Sequence, residues 1–268
     1  MRRRVLWVGA IAAATFLPEW GAAQDSSRSS SRSRRSRVPA VYRDYKAIEV
    51  KDGGTIEGLI LYKGQAPPAE KIAIVKDQET CHVHPAQRER VVINDKGQVH
   101  QAVVFLNIRE GKAVPKREKK PTIDQKGCAF EPHVQVIQTG EPFEIVNSDP
   151  VLHNIQASQS LRTVFNHVQA RKGLVQEEKF KDPGPVSLQC QAHAWMKAWV
   201  YVLPHAYHAV TGEKGEFKIT DVPPGEHELH VWQEHLGEQV VKVKVEPGKT
   251  SKIEFELKAP QPAGRTAT

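Results

Sequence analysis

Long apolar runs are scarce in this chain of 268 residues. Beyond an N-terminal stretch, no segment approaches the roughly 20 consecutive apolar residues that span a bilayer as a helix, which argues against a helical membrane protein. Helical periodicity is scarce too. No later stretch keeps a 3.6-residue apolar repeat for three turns, and Ser158–Glu178 is the one place for a short helix. Catalytic constellations are missing: no Ser/His/Asp arrangement or carboxylate pair stands in a pattern that supports catalysis, so no enzyme is expected. Cysteine is limited to Cys81, Cys128 and Cys190, an odd number that leaves one thiol outside any internal disulfide.

The N-terminus has its own pattern. Arg2, Arg3 and Arg4 precede the apolar stretch Val5–Leu17, and Gly21, Ala22 and Ala23 follow as small residues suited to cleavage. That order is a signal peptide over residues 1–23, and the arginines also suit a twin-arginine exporter. The expectation is a bacterial periplasmic or secreted protein with no transmembrane span in the mature chain. Residues 24–44, rich in Ser and Arg, have no means of building a core and read as a disordered linker. Eight Arg lie within residues 1–40 against only Glu19 and Asp25, so most of the formal charge of +7 sits there. The body is close to neutral, and no nucleic-acid partner is expected.

From Tyr45 onward the chain is written in strands. Thr55–Tyr62, Val99–Ile108, Val134–Gln138, Phe143–Asn147, Val186–Gln189 and Ala198–Leu203 are rich in Val, Ile, Leu and aromatics. Turn formers separate such runs, among them Asp95-Lys96-Gly97, Pro183-Gly184 and Pro223-Pro224-Gly225. The prediction is an all-β protein of two β-sandwiches. Residues 115–204 form one. Residues 205–258 hold too few strands for an independent core, so residues 45–114 are expected to complete them through Thr55–Tyr62 and Val99–Ile108. The second sandwich is then discontinuous, with the first inserted in it, and residues 259–268 read as a disordered tail.

Within Leu188–Val202, Cys190, His193 and Met196 stand three residues apart, and the upstream stretch Asn147–Asn154 supplies His153. A thiolate, imidazoles and a thioether are soft ligands that favour copper, and a trigonal His₂Cys set with a distant Met is the pattern of electron-transfer sites. Three ligands on one loop between paired strands, with the fourth at a distant strand end, fix the geometry through the sheet. Cys81 and Cys128 lie in polar, turn-like surroundings and are expected to form a disulfide, the alternative being that both are free. Closing that 47-residue separation would contribute roughly 3 to 4 kcal/mol through chain entropy. Cys190 is then the thiol kept for chemistry.

Cys190-Gln-Ala-His193-Ala-Trp-Met196, followed by a Val-rich strand, resembles the ligand loop of cupredoxins, with the short His-to-Met spacing of the amicyanin type. Upstream, Phe130-Glu-Pro132, the turn at Gly140, the strand ending at Asn147 and the pair His153-Asn154 resemble the same family. The resemblance covers about a third of the chain. It implies a Greek-key β-sandwich holding Cu⁺/Cu²⁺ through His153, Cys190, His193 and Met196, with Asn154 bracing the two ligand loops. It also implies a surface His193 as the electron exit, and redox donor and acceptor proteins as partners. Gly215-Glu-Phe217, Val222-Pro223-Pro224-Gly225 and His230-Val-Trp232 resemble the carboxypeptidase regulatory-like (prealbumin-like) repeat that follows a cupredoxin segment in methylamine-utilisation-type secreted proteins. Gln189 departs from the cupredoxin pattern, where many members carry an aromatic or a His, and residues 45–114 match no electron carrier.

Trp195 reads either as a packing residue or as part of an apolar surface around an exposed His193. His133, the pair His205 and His208, and the group His230, Trp232 and His235 read as structural. His82 and His84 lie beside Cys81, but a disulfide there removes the thiolate that a second metal site would use. The further His-rich motifs of a copper enzyme are not present. The function expected is one-electron transfer by an exported type 1 copper protein. The alternatives are a copper-binding or copper-delivery module and a non-enzymatic cell-envelope β-sandwich binding protein.

Overall fold

The computed structural model describes residues 45–83, 87–88 and 90–259. The expected leader, the Ser/Arg linker, His84 and residues 260–268 lie outside the described residues.

Pro142–Asn147 alternates partly buried and buried side chains, sending Phe143, Ile145 and Asn147 inward, the period of a strand with one face in a core. It joins a four-stranded sheet in the order Val175–Lys179, Pro142–Asn147, Thr122–Lys126, Ala129–Glu131. The facing sheet runs Arg162–Gln169, His153–Gln159, Gly184–Gln189, Lys197–Leu203, Val134–Gln138. Ile123, Phe143, Ile145, Ile155, Leu188 and Val200 fill the space between them, and Phe143 stacks on Phe180 with ring centroids 4.8 Å apart.

The short helix expected within Ser158–Glu178 does not form. Ser160 and Leu161 both take left-handed backbone angles, φ 49° and 64°, and Gln159 pairs with Arg162. Two consecutive positive-φ residues make a tight hairpin turn, so the stretch folds back as a strand. Among the described residues the one helix is Gln78–Cys81, and none is long and apolar enough to cross a membrane.

A second pair of sheets draws its strands from both sides of the first. One runs His208–Val210, Val103–Leu106, Gly225–Gln233, Gly237–Val245, and the other Glu216–Val222, Gly54–Tyr62, Thr250–Leu257. Gly54–Tyr62 lies parallel to Thr250–Leu257 from Thr55 opposite Thr250 to Tyr62 opposite Leu257. Ile56, Ile60, Val104, Leu106, Leu229 and Val231 build the core between them.

The strand Lys197–Leu203 is buried on both faces. Ala198, Val200 and Val202 enter the first core, whereas Tyr201 and Leu203 meet Val103, Phe105 and Trp232 of the other sheet pair in a third apolar cluster. Glu234 accepts hydrogen bonds from His133 Nε2 at 2.7 Å and from Trp199 Nε1 of this strand at 2.6 Å. Apolar surface buried on two sides stabilises this strand more than an ordinary one-faced strand, and this is the strand that follows Met196.

Gly58 lies mid-strand opposite Ile253, where an added Cβ would fall 1.8 Å from the Ile253 carbonyl oxygen. Gly58→Ala must push the parallel strand away and is expected to destabilise the fold by about 3 kcal/mol. A lower urea midpoint checks this; an unchanged midpoint would contradict it.

Candidate metal centre

The site sits where two loops leave the five-stranded sheet. Gly184–Gln189 ends just before Cys190, and the chain returns as Lys197–Leu203 after a turn closed by Met196 N–H to His193 O at 2.9 Å and Cys190 N–H to Met196 O at 3.2 Å. His153 opens the neighbouring strand His153–Gln159, whose Gln156 pairs with Gln189. That register sets Asn154 beside the ligand loop. Its Oδ1 accepts hydrogen bonds from Gln191 N–H at 2.7 Å and Ala192 N–H at 3.1 Å, with the Cys190 thiol 3.5 Å away.

A ring nitrogen of His153, a ring nitrogen of His193 and the Cys190 sulfur all lie within 4.8 Å of one another. The nearest approach is His153 Nδ1 to His193 Nδ1 at 3.0 Å, and Cys190 Sγ stands 3.8 Å from His193 Nδ1. The Nε2 atoms point outward to acids, His153 to Asp149 Oδ2 at 2.9 Å and His193 to Asp77 Oδ2 at 2.8 Å. A carboxylate accepts but does not donate, so each Nε2 carries a proton, and in the neutral ring Nδ1 then presents a lone pair. Burial holds the pKa of His153 below its ordinary value, ahead of the opposing pull of Asp149. Two opposed lone pairs beside a thiol are a donor set that a soft cation satisfies.

Asp149 is itself fixed, accepting from Gly127 N–H and Cys128 N–H at 2.8 Å each. Asn147 holds the loop, its Nδ2 donating to Val151 O at 2.9 Å and Gln169 O at 3.0 Å. Met196 is buried in the core below the loop. Cys81 and Cys128 are joined as a disulfide, and Cys190 is a free, buried thiol. The disulfide belongs to the site's wall: both of its sulfurs lie within 4.8 Å of a His193 ring nitrogen.

The exposed His193 expected from the family resemblance is not observed. His193 is 0% exposed, because the segment carrying Asp77 and Gln78–Cys81 lies against it, tied down by the disulfide. Trp195 is likewise buried, its Nε1 donating to Cys128 O at 3.2 Å, and Arg88 Nη1 donates to Trp195 O at 3.0 Å. The other histidines are not drawn in. His133 bonds Lys197 O and Glu234, His82 bonds Glu79 O, and His230 bonds Glu238. Asp77 and Asp149 escaped the reading of the sequence. Asp149 had a signal in standing four residues before His153; Asp77 had none.

No family model matches the chain, and no curated protein matches it. Among solved structures, a purple cupredoxin from Nitrosopumilus maritimus aligns at 23% identity over 31% of this chain and 99% of its own, with a TM-score of 0.28. Amicyanin from Paracoccus versutus aligns at 17% identity over 32% of this chain and 84% of its own, with a TM-score of 0.29. A copper-containing nitrite reductase from Thermus scotoductus aligns at 23% identity over 34% of this chain and 25% of its own, with a TM-score of 0.28. Likenesses of this size say nothing about what this chain binds.

Asn154→Ala leaves two backbone N–H groups of the loop without their acceptor and is expected to cost about 1 to 3 kcal/mol, read as a lower urea midpoint in the metal-free protein. A second expectation concerns His205, which is buried away from the site. Desolvation pushes its pKa down from 6.5 to about 4, against a smaller pull from the backbone of Leu106. The unfolded chain therefore takes up this proton at higher pH than the folded one. Stability falls as pH drops from 6.5 towards 4, by about 3 kcal/mol across that window from this group. Urea unfolding at pH 7 and pH 4.5 should show a smaller acid loss in His205→Gln than in the unmodified chain.

Proposed function

We propose that the chain is an exported type 1 copper protein that takes one electron from a donor protein and passes it to an acceptor, with His153, Cys190, His193 and Met196 as ligands. The convergence of two imidazole nitrogens and a cysteine sulfur within 4.8 Å, all three residues buried, carries the reading. Copper, when bound, would supply the one-electron Cu⁺/Cu²⁺ couple. The chain's own work is positional. Asn154 holds the Cys190 loop, the carboxylates hold the imidazoles, Met196 offers a weak thioether, and Trp195 with the core below keeps water out. Ligands fixed by paired strands move little between oxidation states, which favours rapid electron transfer over chemistry on a substrate.

Burial favours retention over delivery. A site that hands metal on must admit a competing ligand, whereas His153, Cys190 and His193 are all 0% exposed. The Cys81–Cys128 disulfide suits the oxidising compartment that an exported chain meets. We read residues 115–204 as the cupredoxin-like copper domain. Residues 205–258, completed by strands from residues 45–114, form a discontinuous carboxypeptidase regulatory-like sandwich that buttresses it.

The protein loaded with Cu(II) is expected to show an intense visible thiolate-to-copper band that Cys190→Ala abolishes. A colourless complex, indifferent to that substitution, would overturn the reading. Rapid loss of copper to a competing chelator would favour the delivery module instead.

A further inference from the structure

Asp77 stands 116 residues before the histidine that it contacts and outside both sheets that frame the site. Its Oδ2 accepts the His193 Nε2 proton at 2.8 Å, and Asp149 Oδ2 does the same for His153 at 2.9 Å. The four side chains form a chain of contacts, acid to imidazole to imidazole to acid, with the two Nδ1 atoms meeting at its centre 3.0 Å apart. We propose that Asp77 and Asp149 are positioning residues of the metal centre, each locking one imidazole in its Nε2–H form so that Nδ1 faces the metal, and each strengthening that ring as a donor. This inference rests on the copper reading above.

Asp77 is not a loose surface partner. Its carbonyl accepts Thr80 N–H at 3.0 Å and Cys81 N–H at 2.9 Å, and four residues on, Cys81 is bonded to Cys128. The His193 side chain is 0% exposed and that of Asp77 31%, so the acid is the outer member of the pair. Hydrogen bonds from non-ligating imidazole N–H groups to carboxylates fix tautomer and orientation and raise ligand basicity. Stronger donors and added negative charge favour Cu²⁺ over Cu⁺, which lowers the reduction potential. The segment from residues 45–114 thereby supplies part of a centre whose ligands all lie beyond residue 150.

The test uses the full chain with Asp77→Ala, Asp77→Asn and Asp149→Asn, their folding checked by far-UV circular dichroism and by the intact disulfide. Histidine ring ¹⁵N shifts of the metal-free protein should report Nε2–H forms for both His153 and His193, with Asp77→Ala disturbing His193. Competition with a copper chelator should show 10–100-fold weaker binding in Asp77→Ala. The potential should rise in Asp77→Asn, which keeps an acceptor oxygen and loses the charge. Unaltered affinity and potential in the Asp77 variants, or a wild-type His193 protonated on Nδ1, would overturn the positioning role while the copper reading stood. A wild-type chain that takes up no copper would overturn the copper reading, and the positioning of a metal with it.

Discussion

Two imidazole nitrogens brought 3.0 Å apart in a buried site, each ring turned outward to an acid, are an arrangement that nothing intrinsic to the rings favours. It must be held from outside, and the surrounding structure supplies the hold on every side. The carboxylates set which nitrogen carries each proton, Asn154 sets the loop, and the paired strands set the separation of the two loops. Buried polar groups are costly unless satisfied. Here the outward nitrogens are satisfied by acids and the inward ones face each other beside the Cys190 thiol.

The hold extends into the second pair of sheets through one strand. Lys197–Leu203 begins directly after Met196 and packs one face on the core beneath the site and the other on Phe105 and Trp232. Phe105 and Tyr201 lie with ring centroids 4.7 Å apart across that contact. A strand clamped on both faces gives the loop before it a fixed end. The second sandwich needs no chemistry of its own to matter to the site.

The strands were legible wherever residues alternate or run apolar between turn formers, and the all-β fold follows from them. The hairpin at Ser160-Leu161 was not legible, because neither residue is one that ordinarily marks a left-handed turn, so the stretch around it resembled a short helix. At the site, the three-residue spacing of Cys190, His193 and Met196 is local and visible, and so is the His153-Asn154 pair. The burial of His193 is not. It depends on a contact with Asp77 across 116 residues, and such a contact leaves no mark on either local pattern. An exposed His193 was a reasonable expectation for residues 115–204 taken alone; the cover comes from the part of the chain that resembles no electron carrier.

The disulfide links the two halves of this arrangement. Cys81 closes the short helix that begins after Asp77, and Cys128 donates its N–H to Asp149 at 2.8 Å. One covalent bond therefore joins the backbone that carries the acid of His193 to the turn that orients the acid of His153. Its stabilising effect as a loop closure, about 4 kcal/mol in the chain-entropy account, is spread over the whole fold. Its geometric effect is concentrated on the site. The same segment is also anchored by Ile72 and Ile74 against the first core and by Arg88 Nη1 donating to Trp195 O at 3.0 Å. The covalent link thus ties together two of the distant parts of the chain from which the centre is assembled.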